Sequence, residues 1–226
     1  MYCSRVNTEM NIHKIPISIG IYCVLFLTSM ACYMSPKPSQ SGSLLLKDDF
    51  SQSETSWEIW SKDGESAVGL VDGKLTMILQ QPNTDIVTTN HVNQSNVELS
   101  VFVQKEHGSS DNLIGLVCRY QNDDNYYGFL ISSDGYFGIV KKTNGEVNLL
   151  NSDMMQYSEI IIKGNAQNHL SAVCDGEVLA FFVNDVELAR IMDNDLTYGG
   201  NGFVIGSFSE PNDLVVSFDE FTLLAR

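Results

Sequence analysis

Residues 119–127 read RYQNDDNYY, and Tyr136-Phe137 follow one turn later. Aromatic faces stack on the apolar faces of sugar rings, while carboxylates, amides and a guanidinium fix ring hydroxyls. Arg119, Asp124, Asn125, Tyr126, Tyr127 and Tyr136 are therefore the candidate ligand-binding residues. Consecutive side chains of a strand point to opposite faces, so one of Tyr126 and Tyr127 is expected in the core and the other exposed. By the same rule Arg119 points away from its neighbour Cys118, placed to pair with Asp123 or Asp124 or to line a concave surface. The plainer alternative is that the tyrosines pack and residues 123–125 form a turn. Trp57 and Trp60, three apart in an irregular segment, are expected to lie over one end of the core.

Hydrolytic chemistry finds less support. Glycoside hydrolysis uses two facing carboxylates, and one way for a strand to carry them is Glu-x-Asp-x-x-Glu. That pattern is absent, and the nearest approach, Asp185-Val186-Glu187, lacks the third acid. No GxSxG occurs, and Gly108-Ser109-Ser110-Asp111 lacks the following Lys-Thr or Lys-Ser of a phosphate cradle. No catalytic residue is assigned.

Two acidic clusters sit near the ends of the body, Asp48-Asp49-Phe50 and Phe218-Asp219-Glu220-Phe221. If the terminal strands pair, these carboxylates meet and need compensation. Calcium, a hard cation that takes oxygen ligands, is the natural candidate, with Asp49 and Asp219 as its ligands. The alternative is that the carboxylates cap turns or face solvent.

The chain carries a formal charge of −15, with 28 acidic and 13 basic residues. A nucleic-acid binder needs a clustered basic footprint, which is absent, and an anionic membrane surface is equally unfavourable for the body. Hydrophobic residues make up 43% of the chain, enough for a core.

Residues 15–31 are an apolar run behind Lys14, too short for a spanning helix and ending in small residues. That is a signal peptide over 1–31, starting at Met1 or Met10. Ser29-Met30-Ala31-Cys32 resembles a bacterial lipobox with Ser in place of the preferred Leu, making Cys32 a candidate for lipidation. Ordinary signal cleavage is the alternative. Residues 32–43 read as a tether of Ser, Pro and Gly, leaving 44–226 as the folded domain. The expected location is the cell membrane through a lipid anchor, or the extracellular space. In an exported domain, Cys118 and Cys174 are most simply a disulfide, with two buried thiols as the alternative.

The elements that must position these residues are strands. Residues 95–105 alternate, with Val97, Leu99, Val101 and Val103 on one face. Similar runs cover 74–80, 113–121, 125–132, 135–143, 169–175, 177–184 and 212–224. Asp72-Gly73, Asp134-Gly135, Asn144-Gly145, Asp175-Gly176 and Asn184-Asp185 between them are hairpin signals. About a dozen strands joined this way predict an all-β, two-sheet antiparallel sandwich, with one short helix near 152–158.

Residues 48–226 resemble the concanavalin A-like, laminin-G-like jelly-roll domains of exported bacterial proteins. The resemblance rests on Asp48-Asp49-Phe50 with Trp57, the GLVDGKL hairpin at 69–75, Pro82-Asn83-Thr84-Asp85, the core at 116–135 and Phe218-Asp219-Glu220-Phe221. It implies a jelly roll. It leaves function open among lectins, carbohydrate-binding modules, glycoside-acting enzymes and protein-recognition domains. The reading is an exported, surface-tethered, non-catalytic module for carbohydrate or another extracellular polymer. The alternatives are a structural or sensory ectodomain contacting protein partners, and a sugar-acting hydrolase.

Overall fold

A computed structural model describes residues 42–52, 55–62, 64–208 and 213–226. The expected signal peptide, Cys32 and the tether up to residue 41 lie outside the described residues. The strands are β1 (Leu44–Asp48), β2 (Trp60–Lys62), β3 (Ser66–Val71), β4 (Lys74–Leu79), β5 (Thr84–Gln94), β6 (Val97–His107), β7 (Asn112–Asn122) and β8 (Asn125–Ile131). They continue as β9 (Tyr136–Thr143), β10 (Glu146–Leu149), β11 (Gln156–Tyr157), β12 (Gln167–Asp175), β13 (Val178–Val183), β14 (Val186–Met192), β15 (Gly199–Ser207) and β16 (Leu214–Ala225). They form two antiparallel sheets. The larger runs β14-β13-β12-β6-β16-β4-β3-β2, with β1 also on β16; the smaller runs β10-β9-β8-β7-β15-β5, with β11 also on β9.

Alternation sets the faces. On β6 the four predicted valine and leucine positions are all buried, while Glu98, Ser100 and Gln104 are half-exposed and Phe102 is exposed. The turn chemistry holds as well. Asn144-Gly145 and Asn184-Asp185 take the positive φ that tight hairpins need, a conformation Asn, Asp and Gly tolerate at low cost.

The expected helix over 152–158 is absent; that stretch carries β11 instead. Asn151 accepts the Ile139 N–H and donates to Gln156, and the Ser152 hydroxyl bonds the Met154 carbonyl. Short polar side chains that bond nearby backbone draw a segment away from helix.

Between the sheets an aromatic stack links both layers. Trp57 lies 4.3 Å from Phe203 in near-parallel stacking, and Phe203 stacks at 4.3 Å on Phe218. Phe50 and Phe221 close around them edge-on or tilted. Trp57 is thus a core residue and not a cover. Its indole N–H donates to Asp48 at 3.1 Å, which employs one carboxylate of the DDF motif inside the fold.

The other end is closed by Cys118–Cys174, a disulfide joining β7 of the smaller sheet to β12 of the larger. Beside it, Arg119 is buried at 1% exposure, with φ at 51°. Its guanidinium donates to the carbonyls of Ser95, Leu196 and Gly176 and reaches the Asn96 amide oxygen. Three separate connections converge on one side chain. Burial pulls its pKa below the usual guanidinium range, and Tyr127, Asp175 and Asp193 act in the opposite sense.

Below it, Tyr127 donates to Asp193 and accepts the Leu196 N–H, while Lys141 reaches Asp193 at 2.6 Å. Burial raises the Asp193 pKa, but Lys141, Tyr127 and the Asp195 N–H outweigh it and hold it below the usual value.

Three outcomes follow from this closed end. Replacing both disulfide cysteines by Ser should cost about 4 kcal/mol, or about 10 °C in melting temperature, by calorimetry. Arg119→Met should destabilise by about 3 kcal/mol or more in urea titration, because several carbonyls lose a buried donor together. Asp193 has a depressed folded pKa, so its contribution is present above about pH 4 and fades as pH falls through the lower folded value. Asp193→Asn should flatten that part of the acid-unfolding curve.

Candidate functional site

The outer face of the smaller sheet carries a second apolar layer, away from the inter-sheet core. Val117, Tyr126, Leu130, Val140 and Val204 are buried there, flanked by Val87, Leu113, Tyr120 and Leu149. What covers them is the curl of the sheet itself. Asp85 on β5 is level with Leu113 of β7, whereas Tyr126 on β8 lies beside Tyr127, the partner of Cys118. Laid flat, those offsets separate Asp85 and Tyr126 by roughly 20 Å. A tyrosine and an aspartate together reach roughly half of that. Yet the Tyr126 hydroxyl donates to Asp85 at 3.0 Å, and Lys142 of β9 meets the same carboxylate at 3.1 Å. The face is therefore strongly concave. A bar of three side chains spans it, with the Lys142 ammonium 5.5 Å from the Tyr126 ring centre.

The bar has a cavity on either side. One, of about 280 Å³, is lined by Glu58, Trp60, Ile86, Val87, Tyr120 and Asp123 together with Asp85 and Lys142. The other, of about 270 Å³, is lined by Asn83, Thr84, Leu113, Gly206, Ser207 and Phe208, again with Asp85. Tyr120 lies over Tyr126 with ring centres 6.1 Å apart and donates to Asp123 at 2.7 Å. Burial, then Asp123 and Glu58, push the Tyr120 hydroxyl well above its usual pKa; burial and Asp85 do the same for Tyr126. Both remain neutral donors. Glu58 and Trp60 arrive on a segment that runs along β5, where Trp57 bridges Asn90 and the Glu58 N–H donates to the Thr89 carbonyl. The first cavity thus brings two aromatic residues beside carboxylate acceptors and one ammonium, the kinds of group that contact the faces and hydroxyls of a sugar ring.

The six candidate ligand residues do not converge. Arg119 is removed from a ligand face by its positive φ. Register shifts on both flanking ladders mark a bulge here, which turns its side chain into the end of the sandwich and gives the concave face to Tyr120. Tyr127 is core. Tyr126 points the opposite way, as alternation requires, but is buried because the sheet curls over it. Asp124 and Asn125 belong to the β7–β8 turn, with the Asn125 amide oxygen accepting the Asn144 N–H and the Asp124 carbonyl accepting the Gly145 N–H. Tyr136 is 40% exposed at the far end of β8–β9, edge-on to Tyr157 at 5.7 Å.

Asp49 bonds the N–H and hydroxyl of Ser51, and Asp219 accepts the Glu220 N–H, while Lys47 pairs with Glu220. The terminal strands do pair, with Asp48 opposite Phe221. Among the described residues no group of three or more His, Cys, Asp or Glu converges as a metal cage.

Sequence reasoning missed Asp85, Lys142 and Glu58. One signal was present: the hairpin centred on Asp134 sets Lys142 opposite Tyr126, so a cation beside that ring was readable from register alone. Asp85 and Glu58 come from distant segments brought in by curl.

No family model and no curated protein matches the chain. Solved structures do. The carbohydrate-binding module CBM66 from Bacillus subtilis aligns with a TM-score of 0.59 at 16% identity, over 76% of this chain and 96% of that one. A Bacillus subtilis protein with a galectin-like fold aligns with a TM-score of 0.59 at 11% identity, over 82% and 97%. The GH43 protein BlXynB from Bacillus licheniformis gives 0.60 at 15% identity over 80% of this chain, which spans 39% of that protein. At these identities the likeness is one of fold, and with two antiparallel sheets face to face the chain is a concanavalin A-like jelly roll.

Proposed function

We propose that the chain is an exported, surface-tethered, non-catalytic module that binds carbohydrate on the concave face of its smaller sheet. The observation that carries this reading is the cavity beside the Asp85–Lys142–Tyr126 bar, where Trp60 and Tyr120 stand next to Glu58 and Asp123. The fold-level likeness to a carbohydrate-binding module supports it. The expected signal peptide and lipid on Cys32 supply the tether in this reading, and globomycin-sensitive processing tests them.

A second reading, a protein-contacting ectodomain, draws on a different feature. The outer face of β2–β4 holds an apolar depression of about 360 Å³ lined by Ile59, Trp60, Ala67, Val71 and Ile78, so Trp60 borders both features and Tyr120 borders only the first.

Glycan-array binding by the purified protein, with and without calcium, tests the first reading, and the calcium arm also reads the ion expected at Asp49 and Asp219. Trp60→Ala and Tyr120→Ala should each weaken binding about tenfold or more, as loss of an anchoring aromatic does. Val71→Asp should leave it unchanged. Silence on every glycan, or indifference to Tyr120→Ala, overturns the carbohydrate reading.

A further inference from the structure

The charge of the cavity narrows the ligand further, and this step rests on the carbohydrate reading above. Three carboxylates, from Glu58, Asp85 and Asp123, line it against the single ammonium of Lys142. That ammonium is committed, lying 3.1 Å and 3.3 Å from the two oxygens of Asp85. Asp85 also accepts from Tyr126, so its charge is answered within the bar. Asp123 accepts only a neutral hydroxyl, that of Tyr120. The Glu58 carboxylate has no hydrogen bond or ion pair among the described residues, while its backbone is pinned to β5 through Thr88 and Thr89. Among the described residues, therefore, two of the carboxylates at this cavity have no cation paired to them. Among the described residues the second cavity adds no cation, Asp85 being the charged residue that lines it.

An anionic sugar entering here would meet carboxylates and, among the described residues, no free cation; Glu58 and Asp123 are exposed, so their repulsion is strongest at low salt and is screened as salt rises. An ammonium would meet the reverse. It would sit between Glu58 and Asp123, beside Tyr120 and Trp60, which line the same cavity and are residue types on which cations are favoured. We propose that the concave face selects amine-bearing glycans, the ammonium of an amino sugar lodging between Glu58 and Asp123 beside Tyr120.

Calorimetric titration of the full chain with glucosamine oligomers and their N-acetylated counterparts of equal length tests this. Both probes share a backbone and differ in the charge of one group per ring. At a mildly acidic pH that protonates the amine, and in about 0.01 M salt, the amine form should bind about tenfold tighter, and the gap should shrink towards unity in about 1 M salt. The double variant Glu58→Gln, Asp123→Asn should bring the ratio of the two affinities to about one at low salt. Equal or tighter binding of the N-acetylated oligomer, with Tyr120→Ala still weakening it, overturns the amine selectivity and leaves the carbohydrate reading standing. Binding of neither oligomer, or binding indifferent to Tyr120→Ala, removes the cavity as the site and this inference with it.

Discussion

One residue of β7 is held at positive φ, and much of the molecule is arranged around it. For a non-glycine residue that conformation costs on the order of 1 kcal/mol or more. At Arg119 it is offset by bonds from the guanidinium to four acceptors on three connections. The bulge also resets the alternation of the strand. Upstream, Cys118 faces the core and bridges to the other sheet. Downstream, Tyr120 faces the concave side and lines the cavity. A single backbone irregularity thus fixes the closed end of the sandwich and presents an aromatic at the site. Close approach there leaves no room for a side chain on β15, where a Cβ on Gly199 would lie 2.4 Å from the Tyr120 carbonyl.

The Asp85 carboxylate plays the matching part on the other side of the smaller sheet. Both of its partners come from strands at the far side, so it holds the curl as a tie holds a bow. Around it the side chains are small or absent. Gly115, Gly128, Gly138, Gly202 and Gly206 sit on or beside this face, and neighbouring Val, Leu and Tyr side chains lean over several of them. Concavity, apolar lining and polar rim are consequences of the same contact.

The fold was largely legible in the sequence because its signals are local: alternation on β6, Asn-Gly and Asp-Gly turns, and two cysteines in strands. The helix expected at 152–158 failed for a local reason too, since Asn151 and Ser152 divert the backbone. The site was legible only in part. The stretch 119–136 did hold Tyr120 and Tyr126, but strict alternation misdirected Arg119, because a bulge inserts a residue that no period of two anticipates. It also predicted an exposed tyrosine where curl buries one. Lys142 was readable from hairpin register, but Glu58 and Asp85 lie tens of residues away from it and join it through tertiary geometry, which no local spacing encodes.

The irregular segment that brings Glu58 and Trp60 to the cavity has another effect. It lies along the outermost strand of the smaller sheet and takes up hydrogen-bonding groups of Thr88, Thr89 and Asn90. An open sheet margin is a template on which another chain can add a strand, the usual route to edge-to-edge aggregation. Here that margin is occupied over its middle by the same residues that shape the pocket. Crowded copies of the domain therefore find no free ladder along that stretch, and the segment that builds a recognition surface also keeps neighbouring copies from joining into a common sheet there.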